Sequence, residues 1–435
     1  MRIVFYSTNS NFFDEKTFKI SVMPSNAETF AAFCHAHPYD EFFCVTQKPA
    51  MFMPETHSEL PYSQIRFLSQ ETDIDDVVSA ISDLKPDLAI AMTFWIEPYD
   101  WLPVSDALVA EKLEAVGVRT ICNSVECGLN CFDKWRTHNM LARLGFKVPP
   151  AVFVDHDLFF CAGSNRQVLR NIYKTSVFAQ IKKLDLPLII KDTTGLSSYG
   201  MTVVHSYGEA AGYLISKRNN SNRLIEEFIK GRQFGLEIYG VPGHYFVLPP
   251  FELSVNQYGI TSPKQSVKFG PCKLPPGLRD MMLELAEKLG LCGCAQIDLI
   301  LDNDGEWHII EINPRLSGMS YTYAVACNSS IFELLYSSCI TKKPLSLKMP
   351  FVLNLKLPLI NSTQMKELLQ LYEVKLLNQT NDLAARQERE KGFCECLLAA
   401  PEKKDIKNIV LKLKALFPKD ALVCQAEQML EFFDK

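Results

Sequence analysis

Long apolar runs are missing from this 435-residue chain. No window approaches the roughly 20 apolar residues of a membrane-spanning helix, and the fullest runs, such as Leu88–Met92, are short. No membrane role is expected. The opening MRIVFYSTNSN has one arginine, a brief apolar stretch and no small-residue cleavage site, so it reads as a first strand and not as a signal peptide. An excess of positive charge is missing too. Lys and Arg number 45 against 50 Asp and Glu, a net charge of -5, which argues against bulk binding to nucleic acid or an anionic membrane. The 14 cysteines include no C-x-x-C pair; the C-x-C pairs Cys292/Cys294 and Cys394/Cys396 sit in apolar, strand-like runs without histidine or a second pair at ligand spacing. Free thiols in a reducing cytoplasm are the simplest reading. No G-x-G-x-x-G follows the first strand and no G-x-x-x-x-G-K-[ST] occurs, which removes the dinucleotide fingerprint and the P-loop. Nor is there a convincing Ser/His/Asp or Cys/His set; the eight histidines are scattered, with His35 and His37 beside Cys34 as the one cluster.

What is present is globular. A content of 47% hydrophobic and 22% charged residues excludes disorder and a coiled coil. The length alone suggests about three domains. Strand and helix signals alternate over residues 1–124. Arg2–Tyr6, Glu41–Thr46, the run DLAIAMTF from Asp87 and VRTICN read as strands, the last two buried on both faces. Asn26–Cys34, Asp73–Leu84 (with Asp73 as N-cap) and Ser105–Val116 read as helices. This rhythm predicts an open α/β sheet. Residues 125–225 and 226–344 read as two further α+β units. The second ends in a hairpin, AQIDLILDN and EWHIIEIN, turning at Asp302–Gly305. After Leu345 the pattern restarts, predicting a small α+β appendage over 345–435.

The chemistry concentrates in that hairpin. Alternation puts Glu311 and Asn313 on one strand face, and Asp298 on the partner strand can join them. Two carboxylates and an amide oxygen among apolar neighbours suit Mg²⁺ that also keeps waters and phosphate oxygens. Arg315, two residues on, is placed to brace a phosphoryl group or an acyl phosphate. Lys191 stands inside the apolar strand LPLIIKD and needs an anion. In the following DTTGLSSYG, Gly195 and Gly200 flank Ser197 and Ser198, a loop able to present N–H groups and hydroxyls to phosphate. Lys264 and Lys268 lie in a polar stretch that can face a substrate, and Ser317 and Gly318 can line a carboxylate pocket.

In this order, Lys134 in a D-K pair, Lys191 before a small-residue loop, EEFIKG from Glu226, and Asp298…Glu311-x-Asn313-x-Arg315 resemble the ATP-grasp superfamily over about Lys134–Gly318. Thirteen residues separate Asp298 from Glu311, as the family's metal hairpin requires. The resemblance implies an ATP-grasp fold behind an N-terminal α/β domain. It implies that Lys134 and Lys191 reach the ATP phosphates, that the Gly195–Gly200 loop closes over them, and that the hinge Glu226, Glu227, Phe228 and Ile229 pairs its backbone with adenine. Asp298, Glu311 and Asn313 would hold two Mg²⁺ ions, with Arg315 supporting the transferred group. The family's ribose-binding glutamate is replaced by Gln233, and Glu237, four residues on, is the other candidate. E-x-N-P-R-x-S-G is similar to carbamoyl-phosphate synthetase and the L-amino-acid ligases; D-alanine–D-alanine ligases carry arginine where Gln296 stands. The implied activity is ADP-forming coupling of a carboxylate, an amino acid by preference, to an amine. The alternatives are transfer to a carrier-protein thiol, a carboxylase, or an ATP-binding module without catalysis. Dimers are common in this group, so a homodimer is the expected assembly.

Overall fold

The computed structural model describes residues 1–8, 19–23, 26–47, 64–69, 71–93, 102–161, 170–194, 201–256, 259–260, 267–381 and 393–433. Among them the strands form three sheets. The first is parallel: β1 (Arg2–Ser7), β3 (Glu41–Gln47), β4 (Ile65–Leu68), β5 (Leu88–Ala91) and β6 (Arg119–Ile121), in the order β4-β3-β1-β5-β6. In β5, Leu88, Ala89 and Ile90 are buried on both faces as expected, but β6 is an edge strand on which Arg119 is exposed and Ile121 buried. Val4 and Tyr6 pack with Val77, Ile81, Val109 and Leu113 of the helices Ile74–Ser82 and Leu102–Ala115. Ile3 and Phe5 face Phe30 and Phe33 of the helix Asn26–Ala36. Asp73 is the N-cap, accepting from the Asp76 N–H at 2.9 Å. On the Phe5 side lies Phe332 of the helix Ile331–Leu335, 5.3 Å between ring centroids, which seats this sheet against the rest of the molecule.

The second sheet is antiparallel and small. Its strands β7 (Ala151–Val154), β8 (Leu188–Asp192), β9 (Thr202–Val204) and β10 (Arg223–Glu227) run in the order β7-β10-β8-β9. The third is long. It joins β11 (Gly231–Val241), β13 (Phe251–Leu253), β14 (Val267–Gly270), β15 (Gly293–Asp302) and β16 (Trp307–Asn313) to β17 (Phe351–Pro358), β18 (Val374–Asn381) and β19 (Phe393–Ala400). The α+β unit expected after Leu345 therefore continues this sheet and does not stand apart from it. Its last strand is β2 (Lys19–Met23), from the N-terminal region, paired with Leu377–Asn381. The order is β16-β15-β11-β13-β14-β17-β19-β18-β2, with β12 (His244–Val247) on β11.

One face of the long sheet is apolar. Leu236, Ile238, Ile297, Leu299 and Ile312 pack on Leu278, Met282 and Leu285 of the helix Pro276–Leu289 and on Met140 and Leu141 of the helix Lys134–Arg143. Further along, Leu353, Leu355, Cys396 and Leu398 pack on the helices Lys403–Leu416 and Ala421–Phe432. The opposite face carries the polar groups of the site. No helix among the described residues is long and apolar enough to cross a membrane. All fourteen cysteines are free thiols; burial pushes Cys122, Cys294 and Cys396, and a hydrogen bond with Cys127 followed by burial pushes Cys131, well above the usual thiol range, which makes them poor nucleophiles.

Candidate active site

The hairpin β15–β16 turns where expected. Asp302 caps it, its carboxylate accepting from the N–H groups of Asp304 and Glu306, and Gly305 adopts φ 86°. Across the two strands Asp298 faces Glu311 and Gln296 faces Asn313. A bulge at Ile310 breaks the register, so that Leu299 pairs with Ile309. This extra residue keeps Ile309 and Ile312 both in the apolar core while Glu311 and Asn313 share the Asp298 face. Plain alternation would have turned Ile309 to the polar side.

Burial, then the facing Glu311 carboxylate, pushes Asp298 up to about 7. Gln296 bridges the pair of strands, accepting from Asn313 Nδ2 at 2.8 Å and donating to Asp298 Oδ1 at 2.6 Å. Arg315 is buried and held by Leu316 O at 3.0 Å and Asn313 Oδ1 at 3.1 Å. Among the described residues no three His, Cys, Asp or Glu side chains gather for a metal. Two facing carboxylates and an amide oxygen still fit Mg²⁺, a hard ion that takes its remaining ligands from water and phosphate. Their mutual repulsion is the physical sign that a cation belongs there.

One lysine stands beside this pair and a second is held in the small sheet. Lys134 opens its helix behind the N-cap Asp133, its backbone N–H bonds Thr193 O at 2.7 Å, and its Nζ lies 3.2 Å from Glu311 Oε1. Lys191, inside β8, is buried and meets Glu226 Oε2 at 2.5 Å. The other Glu226 oxygen faces His138 Nδ1 at 3.1 Å, and the His138 ring stacks on Trp135 at 5.4 Å. Burial would raise Glu226, but Lys191 and His138 hold it down to about 2. Glu226 is thus a buried anion. His138 was not anticipated, although it lies four residues after Lys134 on the same helical face.

Along the hinge, Glu227 N and Phe228 N already donate to Pro150 O and Pro187 O, and the Glu227 carboxylate accepts from Asp185 N. Gln233 donates to Gly259 O at 2.7 Å. Glu237, a candidate for the ribose, is fully buried instead. It accepts from Tyr239 at 2.7 Å, Ser317 at 2.9 Å and Ser320 at 2.7 Å, because the turn after Arg315 folds over this part of β11. The same bonds turn Ser317 inward, away from a substrate-lining role. Gly318 O receives Lys268 Nζ at 3.0 Å. Gly195, Ser197, Ser198, Gly200 and Lys264 lie outside the described residues.

Another unanticipated residue is Asn123, at the carboxyl end of β6. Its amide donates to Cys294 O at 3.0 Å and Pro314 O at 2.9 Å and accepts from Cys292 N at 2.8 Å. It thereby ties the parallel sheet to both ends of the metal hairpin.

A helix-borne lysine thus meets the facing carboxylates of the long sheet, and a second lysine is held in the small sheet. Residues 131–319 match the family model described as an ATP-grasp domain, and they form one. ATP-grasp domains use ATP with Mg²⁺. The D-alanine–D-alanine ligase of Buchnera aphidicola subsp. Schizaphis graminum (strain Sg) is 27% identical over 247 residues, 54% of this chain and 76% of that one. The carbamoyl phosphate synthase large chain of Halomonas eurihalina is 24% identical over 272 residues, 61% of this chain but 23% of that one. Among solved structures, the L-amino acid ligase from Bacillus licheniformis superposes with a TM-score of 0.63 at 16% identity, covering 95% of this chain and 97% of that one. The N5-carboxyaminoimidazole ribonucleotide synthetase from Thermus thermophilus gives 0.61 at 15% identity, covering 95% and 98%. At such identities the likeness is one of fold.

Proposed function

We propose that this protein is an ADP-forming ligase that activates a carboxylate, an amino acid by preference, as an acyl phosphate and couples it to an amine. The observation that carries the reading is the Asp298–Glu311 pair with Asn313 and Arg315, faced by Lys134 and, from the other sheet, served by Lys191. Two Mg²⁺ ions held by Asp298, Glu311 and Asn313 would neutralise phosphate charge during transfer. Lys134 and Lys191 are now engaged by Glu311 and Glu226, so bound ATP would receive ammonium groups already fixed in place. With Glu227 N and Phe228 N engaged by Pro150 O and Pro187 O, the Ile229 N–H is the hinge amide assigned to an adenine edge in this reading. With Glu237 fully buried, Gln233 is the remaining candidate for the ribose.

In the reaction a carboxylate oxygen attacks the γ-phosphorus and the bond to ADP breaks. The amine then attacks the acyl carbon and phosphate leaves. Arg315, immobilised by Leu316 O and Asn313, offers the fixed positive charge that this transfer needs. No side-chain nucleophile is required.

The test is nucleotide analysis with Mg·ATP and amino acids, singly and in pairs. ADP and phosphate released only with a particular acid support the reading. AMP and pyrophosphate refute it; turnover that needs a carrier-protein thiol reassigns the acceptor, and turnover that needs bicarbonate reassigns the activated acid. Lys191→Ala and Glu311→Ala should each abolish turnover with the fold retained.

A further inference from the structure

The polar face of the long sheet does not end at the metal hairpin. It continues across β14, β17 and β19, where Lys268 pairs in register with Asn354 and Glu395 lies on the neighbouring strand. Lys268 is half-buried, and its Nζ is turned to Gly318 O. Its anionic neighbours are Glu395, Asp298 and Glu237, so it stands between the metal carboxylates and Glu395. Asn354 is fully buried. Its Nδ2 donates to Thr322 Oγ1 at 2.8 Å and to Glu395 Oε1 at 2.7 Å, and its Oδ1 is buried with no hydrogen-bond partner. An orphaned amide oxygen beside a buried carboxylate leaves this end of the face rich in acceptors and short of donors, an arrangement that is unfavourable unless a donor arrives.

We propose that Asn354 and Glu395 receive the ammonium group of the carboxylate substrate, so that the acid activated at the metal hairpin is an amino acid with a free amine. The inference rests on the ligase reading and deepens it. An ammonium supplies three N–H donors and a positive charge, which matches one orphaned oxygen and one carboxylate. The carboxylate of the same molecule extends toward Lys268, Arg315 and the hairpin. A deaminated or N-acylated acid leaves both acceptors unmet, and selectivity built on such a loss is strong.

The test uses the full chain with Mg·ATP and hydroxylamine, which traps any acyl phosphate as a hydroxamate with release of phosphate and needs no knowledge of the natural acceptor. The twenty protein amino acids are compared with their deamino and N-acetyl counterparts. The expected result is hydroxamate from at least one amino acid, with kcat/KM lower by about 30-fold or more for its two analogues. Glu395→Gln and Asn354→Leu should each raise the KM for that amino acid about 10- to 100-fold, leaving the KM for ATP within about threefold. Glu395→Asp should recover part of the loss, and thermal melts identify any variant that fails to fold. A deamino or N-acetyl acid used as well as the amino acid overturns the inference and leaves the ligase reading standing, as does unchanged selectivity in both variants. No hydroxamate from any acid, with Mg·ATP still bound, overturns both.

Discussion

Replacing Glu226 by glutamine removes the anion shared by Lys191 and His138 while keeping the shape of the side chain. The carboxylate is held at about 2 against an ordinary 4.5, although burial works the other way. At 1.36 kcal/mol per tenfold change in proton affinity, that gap is worth about 3 kcal/mol of native stability. Because the folded-state value is the lower one, this contribution is complete above the unfolded value near 4.5 and is lost as pH falls toward about 2. At pH 7 the substitution strands the Lys191 ammonium in a buried strand, and removing one partner of such a pair costs about 3–5 kcal/mol. Lys191→Met alone strands the carboxylate, and the double variant strands neither. The assay is a double-mutant cycle by urea denaturation at pH 7, with ATP affinity by calorimetry beside it. The expected coupling between positions 191 and 226 is about 2–3 kcal/mol. Additive effects within about 0.5 kcal/mol would refute the reasoning, since Lys191 and Glu226 would then not depend on each other.

Asp298→Asn should abolish ADP formation and the Mg²⁺-dependent rise in melting temperature, yet raise the melting temperature in metal-free buffer because the Glu311 repulsion is gone; a metal-free decrease would count against the pairing. His138→Gln should raise the KM for ATP about 10-fold with kcat nearly unchanged, the mark of a residue acting through Glu226; steady-state kinetics decide. Glu237→Gln leaves three hydroxyls competing for one neutral oxygen and should cost about 1–3 kcal/mol in urea melts. Asn123→Ala should lower kcat while leaving ATP affinity intact, because it loosens the tie between the parallel sheet and the Arg315 loop; equal losses in both would point to general instability.

The signals from which the candidate site was read are local. Asp298, Glu311 and Asn313 lie on one hairpin whose turn residues are explicit, and Lys134 and Lys191 follow recognisable cues in a helix start and an apolar strand. The bulge at Ile310 was not legible, since a two-residue period contains no term for an inserted residue. Glu237 was misread for a long-range reason. It shares a strand face with Gly235 and Gln233, but the Ser317–Ser320 turn, about eighty residues on, covers it. Asn123 and His138 act through partners 171 and 88 residues away, which no local window joins. The unit after Leu345 read correctly as α+β, while its fusion with the metal-bearing sheet depends on the pairing of β14 with β17, again remote in sequence.

The pairing of β2 with β18 has a consequence for how the molecule comes into being. Lys19 lies beside Asn381, so a segment must wait for about 360 further residues before its neighbour exists. Such remote pairing is slow to form and leaves an open strand edge in the interval. Until then β2 presents backbone groups that any extended peptide can occupy. The newborn chain is therefore most exposed to wrong association in that interval, when the grasp half can already be folded and the far margin of its sheet stands incomplete.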